Sequence, residues 1–208
     1  MIMKKILLFN FVVLFVLSLA LVSAAAEKTS ATEGFEYATL DQLKAEWTIV
    51  ASGFKAPVKI LLNTKDAKEG KKCLELLLPP TKANETARLT LDMSTTVNAK
   101  DVAQVRFWLQ MQHCTKKSAL YWGNKDLKNY FVKYGLKLTE NNWQKIYVSK
   151  SLFAAEGAAP PAWDAVSRMR ISFWFSRNQP ANRILIDGMI WDSIEEKPPV
   201  ILNREWWE

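Results

Sequence analysis

Two segments, Val105–Met111 and Met169–Phe175, restrict the fold more than any other feature, because every second residue in each is apolar. Successive side chains of a β-strand point to opposite faces, so residues two apart share a face. We therefore predict two strands that each pack one face onto a hydrophobic core. The core-facing residues are Val105, Phe107, Leu109 and Met111 in the first strand, and Met169, Ile171, Phe173 and Phe175 in the second.

The opposite faces of the same two strands carry aromatic and polar residues together. Arg106, Trp108 and Gln110 lie on one, with Gln112 beyond them, and Arg170, Ser172, Trp174 and Ser176 lie on the other. An indole ring stacks on the C–H face of a sugar ring, while guanidinium and amide groups hydrogen-bond to its hydroxyls. This pattern favours a surface that binds a polar, ring-shaped ligand such as a sugar.

The rest of the chain repeats short apolar segments separated by turn-forming residues. Pro79-Pro80 and Asn141-Asn142 are typical breaks between strands, and helical periodicity is weak except over Leu40–Lys44 and Ser151–Ala155. We predict an all-β fold, a two-sheet antiparallel β-sandwich of jelly-roll topology. The predicted strands are Trp47–Val50, Cys73–Leu78, Ala87–Met93, Val102–Met111, Ala119–Trp122, Tyr130–Leu138, Gln144–Val148, Met169–Phe175 and Ile184–Trp191.

The N-terminus has the layout of a secretory signal peptide. Lys4 and Lys5 precede an apolar run over Ile6–Val22, and small residues follow at Ser23–Ala26. A retained membrane anchor is the alternative, since the run approaches spanning length. We predict a signal peptide over 1–26, a β-sandwich domain over 27–196 and a secreted or periplasmic protein with no stable membrane association after cleavage. Residues 197–208 are too apolar for a free tail, and are either docked on the domain or the remnant of a longer chain.

Composition excludes several classes of function. The formal net charge is +7, with no dense basic run beyond Lys71-Lys72 and Lys116-Lys117, which argues against nucleic-acid binding. With one histidine and two cysteines, a zinc site built from these residues is excluded. Cys73 and Cys114 either form a disulfide or remain free thiols. We expect a monomer.

The sequence offers little for catalysis, so we predict that the protein is not an enzyme. No G-x-S-x-G motif or glycine-rich phosphate loop is present, and the carboxylates show no spacing that selects a pair. A jelly-roll polysaccharide lyase is one alternative, because Gln112-His113 and Tyr130–Tyr134 loosely resemble pieces of lyase motifs and Arg106 could neutralise a uronate. A secreted protein-interaction or surface-assembly domain is another.

Several ordered motifs resemble the galactose-binding-like jelly rolls of carbohydrate-binding modules. The resemblance spans nearly all of the chain after the signal peptide, and it implies a polysaccharide or oligosaccharide as partner. The motifs are Gly34-Phe35-Glu36, Glu69–Leu74, Leu91–Ser94, Val105–Trp108, Asn142–Ile146, Pro161–Asp164 and Ile184–Asp187.

The resemblance also implies two sites. Modules of this kind commonly hold a structural Ca²⁺, which carries over to Glu36 and Asp187 with backbone carbonyls around 68–71, although Gly188 stands where many relatives have a second acid. The usual strand order places the Val105 and Met169 strands side by side in one sheet. The resulting glycan platform would contain Trp108, Trp174, Arg106, Arg170 and Gln110, with Glu75 one strand over; loop sites around Tyr121, Trp122, Trp143 and Trp163 compete with it.

Overall fold

The computed structural model describes residues 30–95, 97–157 and 162–195. The predicted signal peptide (1–26) and C-terminal segment (197–208) lie outside the described residues. The strands are β1 (Ser30–Glu33), β2 (Trp47–Ser52), β3 (Lys59–Asn63), β4 (Cys73–Leu78), β5 (Ala87–Ser94), β6 (Gln104–Met111), β7 (Lys117–Gly123), β8 (Tyr130–Tyr134), β9 (Gln144–Ser149), β10 (Ala154–Glu156), β11 (Arg168–Phe175) and β12 (Asn182–Asp192). One α-helix, α1 (Leu40–Glu46), and two 3₁₀ turns (Lys150–Leu152 and Trp163–Ala165) complete the described elements.

The strands form two six-stranded sheets, and every paired strand is antiparallel. The first sheet has the order β3-β4-β12-β6-β9, with β1 also paired to β12, and the second has the order β10-β8-β7-β11-β5-β2. The predicted two-sheet β-sandwich is confirmed. Within the described ranges, no helix is long and apolar enough to cross a membrane.

The core lies between the sheets, where alternate residues of each strand meet. Val105 and Phe107 of β6, and Met169 and Phe173 of β11, are at most 1% exposed, as the alternation predicts. The helix α1 covers part of the core and begins at a capping box, in which Thr39 accepts from the Gln42 amide while the Gln42 side chain accepts from the Thr39 amide.

Three strands and one turn differ from the prediction. β1, β3 and β10 were not predicted because each is short and lacks a full apolar alternation, and pairing with β12, β4 and β8 holds them. Residues predicted as a helix over Ser151–Ala155 instead divide between a 3₁₀ turn and β10.

The prediction that the two alternating strands lie side by side in one sheet is wrong. β6 pairs with β12 and β9 in the first sheet, whereas β11 pairs with β5 and β7 in the second. The side-by-side placement is implied only by the strand order of the resembling modules, because alternation shows which face of a strand is buried but not which sheet the strand joins. Trp108 and Trp174 therefore lie on opposite outer faces of the sandwich and cannot form one platform.

Candidate functional site

On the outer face of the first sheet, Trp108 is covered by the protein's own side chains. Its indole Nε1 donates to Glu69 Oε1 at 2.6 Å. The ammonium groups of Lys68 and Lys145 lie 4.8 Å and 5.4 Å from the ring centroid. The Trp108 indole N–H is therefore already bonded, and cations from two different segments lie over the ring.

Two other predicted ligand residues of this sheet are engaged in ion pairs. Arg106 Nε donates to Asp192 Oδ2 at 2.6 Å. Glu75 accepts from Arg183 Nε and from Asn63 Nδ2, the latter at 3.0 Å. Glu75 is also farther from β6 than predicted, because β12 lies between β4 and β6.

Gln110, the remaining predicted residue of this sheet, borders a small groove. Its Nε2 donates to the backbone oxygen of Asn141 at 2.9 Å. The groove has a volume of about 300 Å³ and is lined by Gln110, Gln112, Asn141, Arg183 and Leu185. None of these lining residues is aromatic, so this groove has no stacking surface for a pyranose.

The outer face of the second sheet carries a larger groove with aromatic walls. Strand register places Tyr121 of β7 opposite Arg170 of β11, and Tyr134 of β8 opposite Ala119 of β7. We call this the aromatic groove; its volume is about 800 Å³. It is lined by Thr86, Lys116, Lys117, Ser118, Tyr121, Tyr134, Gly135 and Trp174.

Two tyrosines, Tyr121 and Tyr134, line one end of the aromatic groove, and Tyr130 packs beside Tyr121 outside the lining. Tyr121 is buried and packs edge-on against Tyr130 and Tyr134, with ring centroids 5.2 Å and 6.2 Å apart. The Tyr130 and Tyr134 hydroxyls donate to Glu156 Oε2 at 3.2 Å and 3.0 Å. Desolvation and the Glu156 carboxylate raise the pKa of both tyrosines, so the hydroxyls stay protonated. Tyr134 is 50% exposed and offers its ring to solvent.

The other end of the aromatic groove is built around Trp174. The Arg88 guanidinium lies 5.0 Å from the Trp174 ring centroid and its Nη2 donates to Ser172 Oγ at 3.5 Å. Register places Arg88 of β5 on one side of Trp174 and Lys117 of β7 on the other. This end is rich in cations and the tyrosine end is not.

A bidentate ion pair fixes the floor beside the tyrosines. Arg170 Nε and Nη2 donate to the two carboxylate oxygens of Asp92 at 2.5 Å and 2.6 Å. The hydrogen bonds to Asp92 raise the pKa of Arg170, so the guanidinium stays charged. Arg170 thus lies on the predicted face, but its guanidinium donors Nε and Nη2 are already bonded to Asp92.

Of the aromatic residues proposed as loop alternatives, Tyr121 alone lines the aromatic groove. Trp122 is buried and stacks on Phe153, while Trp163 stacks on Phe131 with centroids 3.8 Å apart. Trp143 is half-buried in the turn before β9.

The sequence analysis names Tyr130 and Tyr134 only within the lyase alternative and does not place them beside Tyr121. The signal was available, because these two and Val132 alternate with Phe131 and Lys133 along β8. The pairing of β8 with β7, which brings them to Tyr121, was not readable from the sequence.

The carboxylates predicted to bind calcium are held by backbone amides. Asp187 Oδ2 accepts from the Lys68 and Glu69 amides at 2.7 Å and 2.8 Å. Glu36 Oε1 accepts from the Lys71 and Lys72 amides at 2.5 Å and 3.1 Å, which lowers the pKa of Glu36.

This arrangement is a poor fit for Ca²⁺. Calcium requires converging oxygens, whereas N–H groups point at these carboxylates. Among the described residues, no group of three or more His, Cys, Asp or Glu side chains is arranged to hold a metal. Calcium stays an untested prediction of the resemblance.

The residues of the lyase alternative are separated by the fold. Gln112 and His113 follow β6 of the first sheet. The Asn182 side chain accepts from the backbone amide of His113 and donates to its carbonyl oxygen. Tyr130 and Tyr134 lie on the outer face of the second sheet. The two motif pieces therefore come from strands of different sheets.

Comparison with known proteins identifies the fold. No family model and no curated protein matches the chain. The family 11 carbohydrate-binding module of the cellulosomal cellulase Lic26A-Cel5E of Clostridium thermocellum aligns at a TM-score of 0.54 and 12% identity, over 81% of this chain and 97% of its own.

Two further solved structures agree with this match. A family 11 module from Clostridium thermocellum in complex with a β-1,3-1,4-mixed-linked tetrasaccharide aligns at a TM-score of 0.56 and 12% identity, over 83% of this chain and 100% of its own. A third structure, titled for the promiscuous specificity of carbohydrate-binding modules from the β-sandwich superfamily, aligns at a TM-score of 0.53 and 16% identity. The alignment covers 75% of this chain and 59% of the other. The chain has the jelly-roll fold of carbohydrate-binding modules.

Proposed function

We propose that the protein is a non-catalytic carbohydrate-binding module that holds an oligosaccharide or polysaccharide chain in the aromatic groove. The single observation that carries this proposal is the groove itself. It combines an exposed tyrosine, a half-buried tryptophan and protonated hydroxyls in an open depression of about 800 Å³. The fold shared with carbohydrate-binding modules supports the same function.

Each wall residue has a definite part in this proposal. Trp174 and Tyr134 stack on the C–H faces of sugar rings, because their rings border the groove and Tyr134 is half-exposed. The Tyr134 hydroxyl uses its oxygen lone pairs to accept from a sugar hydroxyl while it donates to Glu156. Arg170 is a positioning residue, since its salt bridge to Asp92 supports the strand beneath Tyr121.

Trp108, Arg106, Gln110 and Glu75 have no direct part in this proposal. They lie on the outer face of the first sheet, and their polar groups bond to protein atoms. The prediction of one platform made from both strands is thus replaced by a site on the second sheet that retains Trp174.

Binding without chemistry is the simpler reading of the groove. Proton abstraction beside a uronate needs a base close to a group that neutralises the carboxylate. Within the described residues, the histidine of the lyase alternative follows a strand of the first sheet, away from the groove tyrosines in the pairing order. We also propose that the protein is exported, on the signal-peptide pattern of residues 1–26.

Paired aromatic substitutions test the proposed site. We compare Trp174→Ala and Tyr134→Ala with matched variants from the first sheet, Trp108→Ala and Tyr147→Ala. Affinity gels and a glycan array identify a retained polysaccharide, and thermal unfolding checks that each variant is folded. We expect each second-sheet variant to bind about five- to thirtyfold more weakly, because one stacked ring contributes about 1–2 kcal/mol.

The first-sheet variants should bind as the wild type does. Equal retention of all variants, or loss confined to Trp108→Ala, would reject the aromatic groove. Absence of any retained polysaccharide, together with a stable protein partner in a pull-down from the native secretome, would favour the interaction-domain alternative instead.

A further inference from the structure

The aromatic groove is charged asymmetrically along its length. Lys116 and Lys117 line it at the Trp174 end, and Arg88 lies over the Trp174 ring. The only carboxylate bonded to the groove tyrosines, within the described residues, is Glu156 at the other end. A ligand that lies along the groove therefore meets cations at one end and neutral hydroxyls at the other.

The cations at the Trp174 end have no acidic partners among the described residues. Ion pairs there engage neighbouring groups instead: Glu85 pairs with Lys82 at 2.8 Å, and Asp92 pairs with Arg170. Lys116 and Lys117 are exposed, and no ion pair in the described ranges includes them or Arg88. Their charges are thus available to a ligand.

Arg88 adds a guanidinium to the cations of this end, against the Trp174 ring. Its one side-chain hydrogen bond among the described residues, from Nη2 to Ser172 Oγ, is long at 3.5 Å. A guanidinium is best satisfied by a planar, anionic acceptor such as a carboxylate. The donor lies beside a ring suited to stacking, which is the arrangement that a sugar acid requires.

We infer that the ligand is an anionic glycan, one of whose uronate or otherwise acidic sugars stacks on Trp174 with its charged group directed to Arg88 and Lys117. This inference rests on the proposed function and names the class of ligand for the same site. The two ends together give the bound chain one preferred direction.

The test uses matched polysaccharides that differ only in charge. Polygalacturonate, alginate and glucuronoxylan are each compared with the neutral form made by reducing their carboxyl groups, by affinity electrophoresis of the whole protein. We expect one anionic form to be retained more strongly than its neutral counterpart. The retention should weaken as NaCl rises from about 50 mM to about 0.5 M, because salt screens exposed charges.

A charge-neutralising variant assigns the preference to the groove. Lys116→Gln/Lys117→Gln should bind the anionic form about two- to twentyfold more weakly, since each exposed charge pair changes an equilibrium by about 1.5- to 5-fold. Its preference for the anionic over the neutral form should therefore fall. Lys59→Gln/Lys65→Gln, on the first-sheet side, removes the same net charge and should behave as the wild type does.

The outcomes separate this inference from the proposed function. Equal or stronger retention of the neutral forms, or an equal loss in both double variants, overturns the anionic ligand while the aromatic groove stands. Retention of no polysaccharide in the panel or on the glycan array overturns both.

Discussion

The salt bridge between Arg170 and Asp92 allows a quantitative test of how the aromatic groove is supported. Both contacts are short, at 2.5 Å and 2.6 Å, and the side chains are 26% and 6% exposed. Arg170→Met keeps most of the aliphatic stem but leaves the Asp92 carboxylate buried without its cation. Removing one partner of a fully buried pair costs about 3–5 kcal/mol. Because Arg170 is partly exposed and water can reach the site, we expect about 2–4 kcal/mol here.

The double variant Asp92→Leu/Arg170→Met isolates the cost of the unpaired charge. With both charges gone, apolar side chains fill the space, and most of the lost stability should return. The matched control is Lys82→Met, which breaks an exposed pair with Glu85 whose side chains are 53% and 50% exposed. That change should cost less than about 0.5 kcal/mol.

Urea unfolding, followed by tryptophan fluorescence, measures all three variants. The midpoint should fall with an unchanged slope for Arg170→Met, since a loss of stability alone leaves the exposed surface constant. If Arg170→Met costs no more than Lys82→Met, or the double variant is less stable than Arg170→Met, the reasoning about this ion pair is refuted.

Three further predictions concern the turns, the thiols and the metal. Gly70→Ala should be more destabilising than Gly135→Ala by about 1 kcal/mol. Both glycines have positive φ, of 65° and 68°, but a Cβ at Gly70 would displace Glu36 Oε1 from the Lys71 and Lys72 amides, whereas a Cβ at Gly135 would meet no atom of the described residues within 4 Å. Equal melting temperatures would contradict this. Cys73 and Cys114 are free thiols, and burial raises the pKa of Cys73 to about 12. Iodoacetamide should therefore modify the half-buried Cys114 first at about pH 8, and the reaction of Cys73 should accelerate only as the pH rises towards its pKa. A mass that shows a disulfide would contradict this. EDTA should leave the melting temperature unchanged because amides already bond to Glu36 and Asp187, and a fall that added Ca²⁺ reverses would establish the calcium site instead.

The sequence was sufficient for the class of fold because alternation is a local property. Val105–Met111 and Met169–Phe175 each show which residues face the core, and those residues are buried as predicted. Asn141 likewise marks a turn, and its φ of 60° is one that asparagine adopts more readily than most residues.

The site was not predictable to the same degree because it depends on contacts between distant segments. Trp108 and Trp174 have similar sequence surroundings, and only the pairing of β6 with β12 and of β11 with β5 separates them onto opposite faces. The residues that cover Trp108 come from the loop containing Lys68 and Glu69 and, with Lys145, from β9. Loop placement of this kind follows from tertiary packing, which alternation does not encode.

The calcium prediction met a related difficulty. The resemblance located Glu36 and Asp187 near residues 68–71, and the structure places them there. The resemblance implies that carbonyls of that loop face the carboxylates, whereas the structure has amides there. The loop conformation, with Gly70 at positive φ, turns amides towards both.

The indole N–H resonances provide the most direct test of binding at the aromatic groove. In a titration of the isotope-labelled protein with the oligosaccharide that it retains, each resonance is assigned by substituting one tryptophan. We predict that the Trp174 signal shifts in proportion to occupancy, while the Trp108 signal, whose N–H is bonded to Glu69, stays in place. A shift of Trp108 without a shift of Trp174 would contradict the account.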